Sequence, residues 1–232
     1  GVTSNINLTA VNDTTIVVAG GTLNYTENAT AAIIDATITI TDTDDTQLTS
    51  ATVTITSVVI GDVLAFTNTN ATTFGNISGS YSGGVLTLTS ASSTATLAQW
   101  QSALRSVNYR NTSEDPTVNN TRNSRTITWV VTDVNSDAVG AQTSVGVTST
   151  VNLTAVNDKP VVTAGAILAY TENASAVVID VTINITDADD TQLASATVTI
   201  TSGFVAGDIL GFTGQNGITG TYDEVNGVLS LV

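Results

Sequence analysis

Apolar and threonine residues alternate along several short stretches of the chain. The alternation is clearest at 36–41, 51–56, 85–90 and 125–133. In the last of these, Ile127, Trp129 and Val131 share one face, whereas Thr126 and Thr128 share the other. A period of two with many β-branched residues predicts strands that are buried on one face only. Threonine on the wet face keeps strand propensity without adding charge.

One segment departs from this alternation. The stretch TLAQWQSALRSV, at 96–107, places Leu97, Trp100, Ala103 and Leu104 on one side at helical spacing. It predicts a short helix that crosses between sheets, with Trp100 as a core anchor. Short strands, turn signals such as SGG and VNG, and almost no helix together predict an all-β fold of Greek-key β-sandwich domains of immunoglobulin-like type.

The chain repeats itself with an offset of 145 residues. INLTAVND at 6–13 returns as VNLTAVND at 151–158, and YTENA at 25–29 returns at 170–174. The phrase DTDDTQL at 42–48 returns as DADDTQL at 187–193. Self-similarity at a fixed period is the signature of a tandem repeat.

The repeat predicts a domain organisation. Residues 1–4 align with residues 146–149, so we expect 1–13 to be the last strand and linker of a preceding repeat. Residues 14–158 would then form a complete repeat, and 159–232 the N-terminal part of the next. On this interpretation the chain is a slice of a longer array whose targeting signal lies elsewhere.

Charge and composition narrow the candidate functions. The chain has 20 acidic and 5 basic residues, a net charge of −15, and no Cys, His or Met. This balance disfavours binding to nucleic acid or to anionic membranes, and no apolar run is long enough for membrane insertion. The missing residues remove disulfides and the commonest general base. A cysteine-free extracellular repeat favours a bacterial source.

Carboxylates cluster near the predicted strand ends, and five basic residues cannot neutralise twenty acids. Carboxylate, amide and backbone oxygens in groups of about six to eight are what Ca²⁺ requires. The spacing of an EF-hand is absent, so the ligands would have to come together from distant loops. The alternative is a set of solvated loop acids.

Several motifs resemble a known family. YTENA, then TDADD, then VNDKPVV is similar to the cadherin pattern of Glu-Asn, Asp-x-Asp and an Asp-x-Asn-Asp-x-x-Pro linker, although the linker here reads Ala-Val-Asn-Asp where the pattern begins Asp-x-Asn-Asp. More narrowly, WQSALRSVNYRNTSEDP, RTITWVVTDVNSD and VNLTAVNDKP resemble the cadherin-like tandem repeats of giant bacterial surface adhesins. The resemblance implies calcium ions bound at the junctions between neighbouring repeats.

The resemblance also implies two ligand sets. The set between the repeats is Glu27, Glu114 or Asp115, Asn157, Asp158, Asp187 and Asp189. The upstream set is Asn12, Asp13, Asp42, Asp44 and Asp133. The expected function is a calcium-rigidified extracellular stalk for cell adhesion or a biofilm matrix, with the neighbouring repeats as its partners.

Three alternatives stay open from the sequence. Paired carboxylates such as Asp44 and Asp45 could serve a glycosidase, although neighbours on a strand end rarely face each other across a substrate, and we predict no enzyme. Tyr81 and Tyr222, at matching positions, could mark a carbohydrate- or protein-binding module. Like chains could also form a multi-chain filament by lateral packing or by strand exchange, with residues 1–13 as donor strand.

Overall fold

The computed structural model describes residues 1–232 and is mainly β, with 36% strand, 7% helix and several sheets. The all-β prediction is therefore confirmed. The chain divides into two compact units, Gly1–Asn157 and Asp158–Val232. Neither unit contains a helix with the length and apolar character needed to cross a membrane.

Eleven strands and two helices make up the first unit. The strands are β1 (Ile16–Val18), β2 (Thr22–Thr26), β3 (Ala32–Ile33), β4 (Thr39–Thr41), β5 (Leu48–Thr56), β6 (Asp62–Ala65), β7 (Ile77–Ser82), β8 (Val85–Ser90), β9 (Asn108–Asn111), β10 (Ser124–Asp133) and β11 (Val147–Thr154). The helices are α1 (Ala71–Phe74) and α2 (Leu97–Arg105), with a 3-10 turn at Ala91–Ser93. Residues 1–15 form neither helix nor strand.

A six-stranded sheet dominates this unit, in the order β2, β11, β10, β5, β8 and β7. Its strands pair antiparallel except β11 and β2, which run parallel. Smaller sheets join β3, β9 and β6, and β1 with β4. A single core cluster includes apolar side chains from all three sheets and from α2. The predicted inward face of β10 is confirmed, because Ile127, Trp129 and Val131 are all buried.

Helix α2 follows from its local sequence. Thr96 and Gln99 form a capping box, in which each side chain accepts a hydrogen bond from the other residue's backbone N–H. Trp100 is fully buried, and its Nε1 donates to the Leu48 carbonyl at 3.1 Å. The predicted helix and its tryptophan anchor are both confirmed.

The strand predicted at 36–41 is shorter than expected, since β4 covers only Thr39–Thr41. The Asp35 carboxylate accepts hydrogen bonds from the Thr37 backbone N–H at 2.9 Å and the Thr37 hydroxyl at 2.6 Å. This local side-chain turn competes with the sheet for the backbone groups that follow Asp35. Residue alternation alone does not reveal that competition.

Asp35 also joins distant parts of the first unit. Its Oδ2 accepts from the backbone N–H groups of Gly20 at 3.0 Å and Gly21 at 2.7 Å, and from the Ser149 hydroxyl at 2.7 Å. Burial alone would raise the pKa of Asp35, but these hydrogen bonds and those from Thr37 outweigh it and hold the pKa well below its usual range. The turn before β2 is thereby tied to β11.

A second buried acid is compensated by an ion pair. Arg125 Nε lies 2.7 Å from Asp62 Oδ2, and both side chains are buried. Asp62 Oδ1 accepts from the Tyr109 hydroxyl at 2.6 Å and from Asn111 Nδ2 at 2.8 Å. Burial and this bond to Asp62 raise the pKa of Tyr109 far above its usual value. The network connects β6, β9 and β10 through satisfied polar contacts.

The second unit contains five strands: β12 (Val161–Thr163), β13 (Asn184–Thr186), β14 (Ala196–Thr199), β15 (Gly220–Asp223) and β16 (Val228–Leu231). Strands β12 and β13 pair with Val161 opposite Thr186, as Ile16 stands opposite Thr41 in β1 and β4. Strand β16 lies between β14 and β15, as β8 lies between β5 and β7. The repeated sequence therefore forms the same local pairings twice.

We expect Asp35→Asn to lower the free energy of unfolding by about 2 kcal/mol or more, because an amide cannot accept all the bonds that the carboxylate accepts. The folded-state pKa is lowered, so the contribution of Asp35 is present above its unfolded-state pKa of about 3.9 and is lost as pH falls below it. Urea unfolding of wild type and variant between neutral pH and acid measures both effects.

Asp180 offers the matched control. Its carboxylate accepts from Gly165 N, Ala166 N and Thr182 N at 2.7–3.0 Å, but it is partly exposed. Water can replace the lost bonds there, so Asp180→Asn should cost less than Asp35→Asn. Equal costs would contradict the role given to burial at Asp35.

Candidate metal centre

The loop after β4 folds three carboxylates towards one another. Asp42 Oδ1 accepts from the backbone N–H groups of Asp44 at 3.2 Å and Asp45 at 2.9 Å, and the Thr15 hydroxyl donates to Asp42 Oδ2 at 2.5 Å. Carboxylate oxygens of Asp42, Asp44 and Asp45 lie within 4.8 Å of one another. A tight side-chain turn thus places like charges side by side.

Two further segments of the same unit reach this loop. The backbone N–H of Asp13 donates to Asp44 Oδ2 at 2.9 Å. Asn12 Nδ2 donates to the Gly140 carbonyl at 2.6 Å and approaches Asp133 Oδ1 at 3.4 Å. Asp133 is the last residue of β10 and is fully buried. We define the acidic cluster as the side chains of Asn12, Asp42, Asp44, Asp45 and Asp133.

Five oxygen atoms of the acidic cluster are buried without any hydrogen-bond partner. They are Asn12 Oδ1, Asp44 Oδ1, both carboxylate oxygens of Asp45 and Asp133 Oδ2. Asp45 is 2% exposed and Asp133 is 0% exposed. Buried polar atoms in proteins are normally paired, and leaving one unpaired costs about 1–3 kcal/mol, more for a charged group. These oxygens therefore need a compensating group.

The electrostatics of the acidic cluster also indicate that its charge is not compensated within the chain. No Lys or Arg forms a salt bridge with any of its carboxylates. Burial raises the pKa of Asp45, and the charges of Asp133, Asp42 and Asp44 add to the rise. Ser136 is near enough to oppose this rise, although its hydroxyl is not in hydrogen-bond geometry with Asp45.

Asp42 behaves differently from Asp45. Burial would raise the pKa of Asp42 too. Hydrogen bonds from the Thr15 hydroxyl, from the Asp45 backbone N–H and from Asp44 outweigh burial and lower the pKa. Asp42 therefore stays ionised and organises the turn. Asp45 carries the charge that the surroundings leave uncompensated.

The donor chemistry of the acidic cluster fits a metal ion. Every available ligand atom is a carboxylate or amide oxygen, and the chain has no His or Cys. Such oxygen ligands suit hard cations such as Mg²⁺, Ca²⁺ and Mn²⁺. The three segments that supply them are the one before β1, the loop after β4 and the end of β10.

The upstream set predicted from the sequence is largely brought together here. Asn12, Asp42, Asp44 and Asp133 contribute side chains, whereas Asp13 contributes its backbone N–H and its side chain is exposed. Asp45 was not in the predicted set, although both of its oxygens face the cluster unpaired. The available signal was the third acid of TDTDD, directly after the Asp-x-Asp motif.

The second unit repeats the acidic loop. Asp187 Oδ1 accepts from the backbone N–H groups of Asp189 at 3.3 Å and Asp190 at 3.0 Å, and carboxylate oxygens of all three acids lie within 4.8 Å. The Asp158 backbone N–H donates to Asp189 Oδ2 at 3.2 Å, as Asp13 does to Asp44.

The pKa values of Asp187 and Asp189 in this second loop are shifted in opposite directions. The hydrogen bond from the Asp190 backbone lowers the pKa of Asp187, and the contact with Asp187 raises that of Asp189. The repeated sequence thus gives the same turn in both units, with more exposed acids in the second.

Glu27 and Glu114 form a separate acidic pair in the first unit. Their carboxylate oxygens lie within 4.8 Å of each other, and Asn28 Nδ2 donates to Glu114 at 2.9 Å and approaches Glu27 at 3.5 Å. The Val156 backbone N–H donates to Glu27 Oε2 at 2.7 Å. This arrangement fixes Glu27 against the segment that follows β11.

Asp115, the alternative to Glu114, serves its own loop. Its Oδ1 accepts from the Thr117 N–H at 3.1 Å and hydroxyl at 3.0 Å, and its Oδ2 accepts from the Asn119 N–H at 2.7 Å.

The predicted junction set is divided between the units. The first unit holds Glu27, Glu114 and Asn157, and the second holds Asp158, Asp187 and Asp189.

No protein-family model matches the chain, and no curated protein matches it. The resemblance to cadherin-like repeats therefore rests on the sequence motifs alone.

We expect Asp45→Asn to stabilise the first unit in chelator by about 1–3 kcal/mol, because it removes a buried charge that has no partner. The raised pKa means that the folded wild type gains stability as pH falls from neutral, and the variant should lack this gain. Chemical unfolding in excess chelator, at neutral and mildly acidic pH, measures both.

Glu224→Gln provides the control, since Glu224 is an exposed acid of the second unit. Surface changes of this kind alter stability by no more than about 0.5 kcal/mol. A destabilised Asp45→Asn protein in chelator would show that Asp45 is already compensated within the fold.

Proposed function

We propose that this chain is a calcium-binding structural repeat of an extracellular bacterial surface protein, acting as part of a stiff stalk. The observation that carries the proposal is the set of five buried, unpartnered oxygens in the acidic cluster. The sequence resemblance to the cadherin-like repeats of bacterial adhesins, of Greek-key immunoglobulin-like type, supports it.

Calcium suits the acidic cluster better than magnesium does. Ca²⁺ accepts six to eight oxygen ligands in irregular geometry, including amide and backbone carbonyl oxygens. Mg²⁺ requires near-ideal octahedral geometry and usually retains several water molecules. The cluster offers five protein oxygens from separated segments, all shielded from solvent. A site of that kind favours a cation that sheds its water readily.

The residues of the acidic cluster would also hold the segment before β1 against the domain. Asn12 and Asp13 belong to the segment before β1, which has no strand partners, and they reach the domain through hydrogen bonds to Gly140, Asp133 and Asp44. A bound Ca²⁺ would supply the positive charge that lets these carboxylates share one site. Mutual repulsion of Asp44, Asp45 and Asp133 loosens the same contacts when that charge is lacking.

Repetition supports a stalk rather than a single binding domain. The acidic turn and its bond to the preceding segment recur 145 positions later with the same donors and acceptors. If each repeat fixes the segment that enters it, an array of repeats resists bending. The absence of cysteine from the chain agrees with a bacterial surface array, which needs no disulfides.

The matching tyrosines favour this structural reading over a ligand-binding module. Tyr81 donates its hydroxyl to the Asp62 carbonyl at 2.7 Å, and Tyr222 donates to the Asp208 carbonyl at 2.6 Å. Both hydroxyls are engaged within their own unit. The proposal includes no catalytic step.

At about 5 mM Ca²⁺ the chain should gain about 1–2 kcal/mol in free energy of unfolding over chelator, if the site has the affinity of extracellular calcium modules. For a protein of this size the midpoint of thermal unfolding should rise by about 2–8 °C. Mg²⁺ at the same concentration should give less than half the shift. Differential scanning calorimetry measures all three conditions.

The double variant Asp45→Asn with Asp133→Asn should lose the calcium shift, while Glu224→Gln should keep it. Hydrogen exchange at the backbone N–H of Asp13 reports stiffening directly, and we expect calcium to slow it in the wild type only. A thermal shift that survives in the double variant, or unchanged exchange at Asp13, would refute the proposed clamp. Antibody labelling of intact cells tests the surface location.

A further inference from the structure

The outer face of the six-stranded sheet has an unusual composition. Its outward positions lie between the buried ones on each strand and match across the sheet by register. We call these 22 positions the threonine face: Thr22, Asn24, Thr26, Ser50, Thr52, Thr54, Thr56, Ser78, Ser80, Ser82, Val85, Thr87, Thr89, Ser124, Thr126, Thr128, Val130, Thr132, Thr148, Thr150, Asn152 and Thr154. Thirteen are threonine, five are serine and none is charged.

The register aligns the hydroxyl groups in rows across the strands. One row runs through Thr22, Thr150, Thr126 and Thr56, which stand opposite one another on four successive strands. Neighbouring strands are about 4.8 Å apart, and outward residues on one strand recur about every 6.8 Å. The face is therefore a regular array of hydroxyl and methyl groups.

The absence of charge on this face is the informative feature. Charged residues make up 11% of the chain, so 22 outward positions would carry about two charged residues at the average frequency. Exposed sheets usually carry charges because these prevent association with other sheets. Here the 20 acidic residues lie elsewhere, in loops and at strand ends. This face lacks the usual protection against pairing.

We propose that the threonine face is the surface through which two copies of this chain pair side by side, sheet against sheet. Two molecules of net charge −15 repel each other, and this repulsion is weakest where neither presents a carboxylate. A hydroxyl both donates and accepts hydrogen bonds, so the face is complementary to itself. A two-fold interface requires such self-complementarity.

The dimensions suit a pair of copies. Six strands about 4.8 Å apart, with about four outward residues each at about 6.8 Å, cover about 650–800 Å². A standard protein interface buries about 800 Å² per partner and uses about 20–30 residues on each side. The 22 positions of the threonine face fall within that range. Two twisted sheets can pack in this way at about 30° to each other.

The second unit repeats the pattern on its own sheet. Thr197, Thr199 and Thr221 occupy outward positions on β14 and β15, with Ser230 between them on β16. Asp223 is the one acid on that side, and it lies at the hairpin end of β15. Each repeat therefore carries a hydroxyl-rich sheet surface, with a single acid at its edge in the second unit, as lateral pairing along an array requires.

The test is sedimentation equilibrium of the whole 232-residue chain in chelator, so that the result does not depend on calcium. Thr128 lies on a central strand of the face, and Thr128→Glu places a carboxylate on both sides of a two-fold interface. Juxtaposed like charges weaken association strongly, and we expect the dissociation constant to rise by more than about tenfold. Added salt should strengthen wild-type association by screening the net charge.

Thr39→Glu is the matched control, because Thr39 is an exposed strand threonine on β4, outside the threonine face. It adds the same charge and should change the dissociation constant by less than about twofold. Thr128→Val keeps the shape without the charge and should still associate. If Thr128→Glu fails to fold, as judged by circular dichroism, Thr54→Glu on β5 replaces it.

Three results would overturn the proposal. One is a wild-type chain that stays monomeric at about 1 mM, a concentration at which even weak pairs associate. Another is an equal response to Thr128→Glu and Thr39→Glu, which would place association on another surface, such as the exposed apolar side chains of the second unit. The third is a monomer that cosediments with an insoluble neutral polysaccharide unless Thr128 is changed to Glu, which would make the face a glycan surface.

Discussion

A carboxylate removed from water must be compensated by hydrogen-bond donors or by positive charge, and the buried carboxylates of the first unit fall into three cases. Asp35 is surrounded by backbone and hydroxyl donors, and Asp62 is paired with Arg125. Asp45 has neither, and Asp133 has donors on Oδ1 alone, from the Gln142 backbone N–H and Asn12 Nδ2, so its Oδ2 has no partner; both residues are buried. The first two solutions are complete within the chain and hold strands together. The third is incomplete, and it lies where the segment before β1 meets the domain.

Under the proposed function, the contrast separates the carboxylates that stabilise the fold from those that would respond to an ion. A carboxylate with a full set of donors contributes to stability under all neutral conditions. A carboxylate without a partner opposes folding until a cation arrives, so its contribution changes sign with the ion. Only five basic residues are present, and Arg125 is used inside the core. Few basic residues are therefore left to neutralise the other acids.

The sequence predicted the elements whose pattern is local and periodic. The alternation in β10 and the helical spacing around Trp100 each identify one buried face, and the structure has both. The shortened β4 was not predictable by periodicity, because the Asp35 side chain captures backbone groups that alternation assigns to a strand. Asp115 likewise reads as a candidate ligand, yet its oxygens are taken by its own loop. Asp45 was missed because one of the charges that acts on it belongs to Asp133, which is 88 positions away in the sequence.

The parallel pairing of β2 with β11 bears on how such a domain carries load. Five residue pairs, from Thr22 with Thr150 to Thr26 with Thr154, join the strand near the start of the domain to the strand at its end. Because the two strands point the same way, tension on the two ends of the domain pulls them past each other along their length. All the bonds of the ladder then resist together, whereas an antiparallel pair pulled from one end would open one bond at a time. The parallel pair of β2 and β11 would therefore be loaded in shear when the two ends of the domain are pulled apart.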